Sequence, residues 1–156
     1  MAFTNSNDFI TGRKPVPTPA GIELVTQRFP IDMLVADLAV NTIGQFGILP
    51  AGCIPVEIRV DGDDVDSGAG AGVYQVGIWD GASANLSAAA ADGGGAWGDT
   101  GAAVAVAFDK HLVRTGNNLA KVQPSAVDRR IGLKVTAAPT TPVAGQLGIT
   151  VTYRAA

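Results

Sequence analysis

Charged, aromatic and reactive residues are all scarce in this chain of 156 residues, and their scarcity excludes several kinds of function. Charged residues make up 16% of the sequence, against roughly 25% in an average globular chain. Lysine and arginine number 11 and aspartate and glutamate 14, so the net charge of -3 offers no field that attracts a polyanion. No run of about 18 apolar residues occurs. We therefore expect neither a nucleic-acid partner nor a membrane-spanning helix.

The chain has one cysteine, Cys53, and one histidine, His111, which limits the nucleophiles and bases available for catalysis. Neither lies in a local catalytic motif, and the GxSxG and HExxH patterns are absent. We interpret Cys53 as a small core residue and His111 as a surface residue beside Lys110. Carboxylates that meet in space stay open as a glycosidase pair, because the sequence does not show which acids converge. We expect no enzyme and no cofactor.

Residues 1–20 are polar at first and are then interrupted by prolines at 15, 17 and 19. Proline fixes φ, lacks the N–H that a central strand needs, and biases the preceding residue towards extended geometry. This segment is therefore predicted to be an extended N-terminal arm that lies along a neighbouring subunit and orders only on assembly. Its candidate partner contacts are the apolar residues Phe3, Phe9 and Ile10. A disordered tail without a role is the alternative.

The start of the arm, MAFTNSNDF, has neither the basic nor the apolar region of a secretory signal. We therefore expect the chain to be made and kept in a cytoplasm until it is released.

Residues 21–156 are predicted to form a single all-β domain, because short apolar runs of period two alternate with glycine, proline and aspartate clusters. About eight strands with turns between them indicate a two-sheet antiparallel β-sandwich. The predicted strands lie near 22–29, 33–40, 43–49, 56–60, 73–79, 104–108, 131–135 and 147–153. The predicted core residues are Val56, Ile58, Val60, Leu133, Val135, Ile149 and Val151.

A long loop rich in alanine and glycine interrupts this pattern at about 80–101. Alanine and leucine favour a short helix near 84–91, and the following glycines can end it. Trp97 has two interpretations: it holds the loop on the sandwich, or it faces a partner subunit, where tryptophan is enriched. We include Trp97 among the candidate partner contacts.

The acidic stretch DGDDVDSG, with Asp61, Asp63, Asp64 and Asp66, is interpreted as a solvated turn, with a weak calcium site as the alternative. The bidentate glutamate of an EF-hand is missing in either register, so we predict no metal site. GAGAGV at 68–73 leads into a strand, whereas a nucleotide-binding glycine loop opens a helix. We interpret it as a hairpin connection.

Several turn motifs carry a resemblance over roughly residues 35–154. They are LPAG at 49–52, an Asp-rich turn at 64–68, VGIWDG at 76–81 and, in DRRIGLKVTAAPTTPVAGQLGITVTY at 128–153, an AG turn at 144–145. On these motifs the chain resembles the small structural proteins that tailed bacteriophages encode near their capsid genes. The resemblance implies a β-sandwich, often jelly-roll-like, that works by assembly and has no catalytic residues.

What the resemblance implies about function is a head decoration, or cement, protein on the exterior of the virion capsid. Its partners would be the major capsid protein and itself, as a homotrimer at three-fold positions of the shell, after synthesis in the host cytoplasm. Two alternatives stay open: a tail, neck or fibre-associated structural protein, and a carbohydrate-binding module that uses Trp79 or Trp97 as a sugar platform.

Overall fold

In the computed structural model, which describes residues 1–68, 70–81, 84–101 and 107–156, the chain forms two antiparallel sheets. The four-stranded sheet has the order β1-β9-β3-β6 and the five-stranded sheet the order β2-β8-β4-β5-β7. The strands are β1 Leu24–Met33, β2 Ile43–Leu49, β3 Cys53–Gly62, β4 Val73–Ile78, β5 Gly98–Asp99, β6 Phe108–His111, β7 Val113–Arg114, β8 Arg129–Ala137 and β9 Gly145–Ala155. The predicted all-β sandwich is confirmed. Among the described residues, no helix is long and apolar enough to span a membrane.

The core lies between the sheets because alternate residues of each strand point inward. Along β9 these inward residues are Leu147, Ile149, Val151 and Tyr153, and all four are fully buried. They face the buried residues of β8, which are Ile131, Leu133 and Val135. Ile58 and Val60 of β3 are buried as well, so six of the seven predicted core residues are correct.

The exception is Val56, whose side chain is 38% exposed. The pairing of β3 with β9 shifts register between Pro55 and Glu57, so one extra residue enters β3 at this point. Such a bulge reverses the inward and outward alternation, and Val56 and Glu57 therefore both face outward. Val56, Ile58 and Val60 keep a regular period of two, so the sequence alone gives no sign of this bulge.

The predicted strand at 33–40 is wrong, because β1 ends at Met33 and a 3-10 turn, Val35–Leu38, follows. The buried side chain of Asp37 holds this turn. Its carboxylate accepts hydrogen bonds from the backbone N–H of Leu34 at 3.1 Å and of Thr4 at 2.8 Å. Local capping by an aspartate thus overrides the strand propensity of the apolar residues.

The long loop folds back over the outer face of the five-stranded sheet. Instead of a helix at 84–91, its described part contains a 3-10 turn at Ala90–Asp92. Leu86 lies over Gly77 and Gly132, where an added methyl group would come within 3.4 Å and 3.3 Å of its side chain. The absence of side chains at these two glycines therefore makes room for the loop. Of the predicted strand at 104–108, Val104 and Val106 lie outside the described residues.

Candidate interaction surfaces

The first ten residues lie against their own sandwich, where the edge strands of the two sheets, β1 and β2, run side by side. Ala2 forms a parallel bridge with Ile43 of β2. The side-chain amide of Asn5 donates to the carbonyl oxygen of Asp32 on β1 at 2.6 Å. The segment therefore contacts both sheet edges and closes this side of the core.

Two phenylalanines anchor this N-terminal segment, defined here as residues 1–10. Phe9 is only 6% exposed, and its ring meets that of Phe29 edge-on at a centroid distance of 4.9 Å. The ring of Phe3 packs directly on Gly44 and contacts Phe46 edge-on, with 5.8 Å between centroids. Both predicted contact residues are thus placed within their own chain.

Ile10 is half-buried, and its carbonyl oxygen accepts a hydrogen bond from Arg130 of β8. The sequence predicts an arm on a neighbouring subunit because prolines cannot join a strand ladder. The prolines begin only at residue 15, however, and the residues before them are free to pair with β2. In the single chain residues 1–10 therefore lie on their own sandwich, and contact with a neighbouring subunit stays a prediction.

An exposed turn at residues 11–14 connects the N-terminal segment to the rest of the chain. Gly12 in this turn has φ +77°, and nothing lies near the position of its missing side chain. The chain is fixed again at Pro17, whose carbonyl oxygen accepts a hydrogen bond from the Tyr153 hydroxyl at 2.6 Å. Burial raises the pKa of Tyr153 to about 12, so its hydroxyl is a donor across the ordinary pH range.

Trp97 is 1% exposed and lies in the core. Its indole Nε1 donates to the carbonyl oxygen of Asp92 at 2.9 Å, and its backbone N–H donates to Val76 of β4. This position agrees with the first interpretation of Trp97, that it holds the loop on the sandwich. Almost none of its side chain is left for a partner or for a sugar.

Asp66 fixes the loops at one end of the sandwich. Its side chain is fully buried, and its two carboxylate oxygens accept hydrogen bonds from the backbone N–H groups of Gly68, Ala71, Thr140 and Thr141 at 2.9–3.0 Å. The bond from Thr141, with those from the other three residues, lowers the pKa of Asp66 to about 2 although burial opposes the shift. One charged side chain therefore joins the β3–β4 connection to the β8–β9 connection.

The other carboxylates of the acidic stretch also have partners within the protein. Asp61 is paired with Arg28 on β1, and this hydrogen bond raises the pKa of the guanidinium. Asp63 accepts from the backbone N–H of Gln146 at 2.8 Å, and Asp64 accepts from that of Asp66. Among the described residues no group of three potential ligands is placed to hold a metal ion.

Beside these loops lies a set of exposed apolar residues that we call the loop face: Leu34, Val35, Val40 and Val143. The pairing of Met33 with Gly145 brings the chain after β1 next to the chain before β9. Val143 is fixed by its backbone N–H, which donates to Val65 at 3.0 Å. The backbone beside these side chains is hydrogen-bonded to Asp37, at Leu34, and to Asp66, at Thr140 and Thr141.

Cys53 and His111 do not meet. Cys53 is buried at the start of β3, where burial raises the pKa of its thiol. His111 is exposed on the outer face, where its Nδ1 lies 2.9 Å from a carboxylate oxygen of Glu57. A thiol held protonated and remote from the histidine does not form a nucleophile–base pair.

A cleft of about 390 Å³ lies between the N-terminal segment and the five-stranded sheet. Its lining includes Phe3, Ile10, Gln45 and the half-buried Trp79. The cleft is mainly apolar and is formed in part by the segment itself, so its shape depends on where that segment lies.

The signal that could have identified Asp66 is present in the sequence. An aspartate followed two residues later by glycine is a common turn in which the side chain accepts a backbone hydrogen bond. By contrast, the close packing of Phe3 on Gly44 joins residues 41 positions apart, and no local pattern reveals it.

The chain matches no protein-family profile and no curated protein sequence. Among solved structures it is similar to a chain in the structure described as "Capsid of Ralstonia phage GP4", with 27% sequence identity, a TM-score of 0.75 and 96% of each chain covered. A chain in "Cyanophage Pam1 capsid asymmetric unit" is more distant, with 17% identity, a TM-score of 0.49 and 96% coverage of both chains.

Proposed function

We propose that this protein is a structural component of a bacteriophage virion that binds the outside of the capsid and stabilises contacts between major capsid subunits. The observation that supports this most directly is the similarity to a chain of the Ralstonia phage GP4 capsid. It extends over 96% of both chains, so it concerns the whole protein and not a common sandwich motif alone.

The strand order supports a jelly-roll-like arrangement, because most strands that follow each other in sequence lie in opposite sheets. The role of such a sandwich would be mechanical. Many modest contacts repeated around a symmetric shell add to a large stabilisation even if each is weak. A homotrimer at three-fold positions suits this role.

We infer that the loop face is the surface that contacts the shell. It combines exposed apolar side chains with loops that Asp66 holds in one conformation. Apolar residues on a rigid framework lose little conformational entropy on binding, which favours an interface. The outer face of the four-stranded sheet is less suitable, because its charged side chains already form pairs such as Arg59 with Asp109 at 2.5 Å.

The experiment compares two aspartate substitutions for binding to capsids that lack this protein. Val35→Asp places a carboxylate on the loop face, where Val35 is 49% exposed. We expect binding to weaken at least about tenfold, because burying an unpaired carboxylate costs more than the 1.4 kcal/mol that a tenfold change requires. The melting temperature should change little, since the side chain is half exposed in the free protein.

Val127→Asp is the matched control, because Val127 is 65% exposed and precedes β8 at the opposite end of the sandwich. It should bind as the unaltered protein does. Equal binding by Val35→Asp and the unaltered protein would remove the loop face from the proposal. Failure of the unaltered protein to bind capsids would contradict the capsid role itself.

A further inference from the structure

We propose that neighbouring copies of this chain exchange their N-terminal segments, so that residues 1–10 of one copy fill the side groove of the next. The side groove is the surface on which the segment now lies, formed by Ile43, Gly44 and Phe46 of β2 with Phe29 and Asp32 of β1. Its occupant is identified by the structure, because the same ten residues already fit it.

The fit is specific in both polar and apolar contacts. Backbone hydrogen bonds join Phe3 to Ile43 at 3.1 Å and Ile43 to Met1 at 2.9 Å. The side-chain amide of Asn7 donates to the carbonyl oxygen of Phe46 at 2.6 Å. Without the segment, this sheet edge would expose unpaired backbone groups, which is the situation that strand addition from another chain resolves.

The connection to the body suits an exchange. Residues 11–14 are exposed and form a turn that relies on the left-handed conformation of Gly12. If this turn opens, the seven intervals from Ile10 to Pro17 span up to about 25 Å at roughly 3.3–3.6 Å each. That length reaches an adjoining copy only if the β1 and β2 sides of the two copies face each other.

An exchange of this kind recovers in trans the contacts that residues 1–10 make with the side groove in cis. Its cost is the opening of the turn, in which the backbone N–H groups of Arg13 and Lys14 donate to the carbonyl oxygen of Asp8 at 2.8 Å and 3.0 Å. The gain is that the sandwich of each copy becomes linked, through its N-terminal segment, to the sandwich of another copy. Phe9 is buried at 6% exposure, so in the exchanged form a core residue of one subunit would be supplied by its neighbour. The inference concerns contacts between copies and does not rest on binding to a capsid.

Cross-linking between two differently tagged chains tests the exchange. One chain carries Ala2→Cys and the other Gln45→Cys, both with Cys53→Ala; positions 2 and 45 line the same cleft. No single chain contains both cysteines, so a short bis-maleimide can join them only across copies. The two chains are unfolded together, refolded as a mixture and treated with the cross-linker.

We expect a covalent heterodimer of the two tagged chains, in at least severalfold excess over the control pair. The control pairs Ala2→Cys with Thr115→Cys, because Thr115 follows β7 at the opposite edge of the same sheet. A single chain with both Ala2→Cys and Gln45→Cys establishes that the positions can be linked. If that chain links internally while the mixed chains give no more heterodimer than the control pair, the exchange does not occur and the proposal is wrong.

Discussion

At the scale of single residues, two positions show how one side chain, or its absence, determines the surface around it. Asp66 accepts four backbone hydrogen bonds, with two loops contributing donors, in a fully buried position. Gly44 has the opposite role, because its missing side chain provides the space in which Phe3 packs. The carboxylate of Asp66 therefore holds the loops at one end of the sandwich, and Gly44 leaves space for the N-terminal segment at its side.

Asp66→Asn should lower the melting temperature at pH 7, because the amide nitrogen cannot accept the backbone hydrogen bonds that the carboxylate accepts. The pKa of Asp66 is lowered from 3.8 to about 2, so its stabilising effect is present above pH 4 and is lost as the pH falls through about 2. The measurement is the melting temperature of both proteins between pH 7 and pH 2.

The difference in melting temperature between the unaltered protein and Asp66→Asn should become smaller as the pH falls towards 2. Asp64→Asn is the control, since Asp64 is exposed and its single accepted bond can be kept by the amide oxygen. A difference that stays constant from pH 7 to pH 2 would contradict the role given to the Asp66 charge.

Gly44→Ala should destabilise the protein by about 1–3 kcal/mol, because the new methyl group would overlap the ring of Phe3. The clash depends on that ring, so the same change should cost much less when Phe3→Ala is already present. Urea unfolding of the two single variants and the double variant measures this coupling. Additive effects would show that Phe3 does not lie on Gly44.

At the scale of elements, the sequence predicts the positions of strands better than it predicts the bulges and turns that interrupt them. Alternation gave β8 and β9 correctly, because both strands have one buried face. The bulge before Glu57 was missed because a register shift depends on the partner strand β9. The turn at Val35–Leu38 was missed because the carboxylate of Asp37 caps it locally, at the backbone N–H of Leu34, and also binds the distant Thr4. The packing of residues 1–10 was missed because it depends on distant partners.

Phe9→Ala tests whether that packing exists in the free protein. We expect a loss of about 3 kcal/mol, at the low end for a buried phenylalanine because a terminal segment can relax around the cavity. The measurement is the free energy of unfolding in urea. Ile22→Ala is the control, since Ile22 is 99% exposed and its loss should change stability by less than about 0.5 kcal/mol. Equal stability of the two variants would mean that the segment is detached in solution.

At the scale of the whole molecule, fold class and general role could be predicted, whereas the proposed contact surface could not. The period-two pattern is a local property and indicates a sandwich directly. The loop face is created by the pairing of β1 with β9, which brings Leu34 near Val143 across more than a hundred residues. For this reason the sequence directed attention to Phe3, Phe9 and Trp97, which the structure places inside their own chain.

The most direct test of the capsid role is cryo-electron microscopy of capsids that lack this protein, before and after its addition. We predict added density on the outer surface, repeated at symmetry-related positions between major capsid subunits, with the loop face of the sandwich turned towards the shell. The decorated particles should also withstand a higher temperature before they release DNA. Density confined to the tail, neck or fibres, or no bound density at all, would contradict the account.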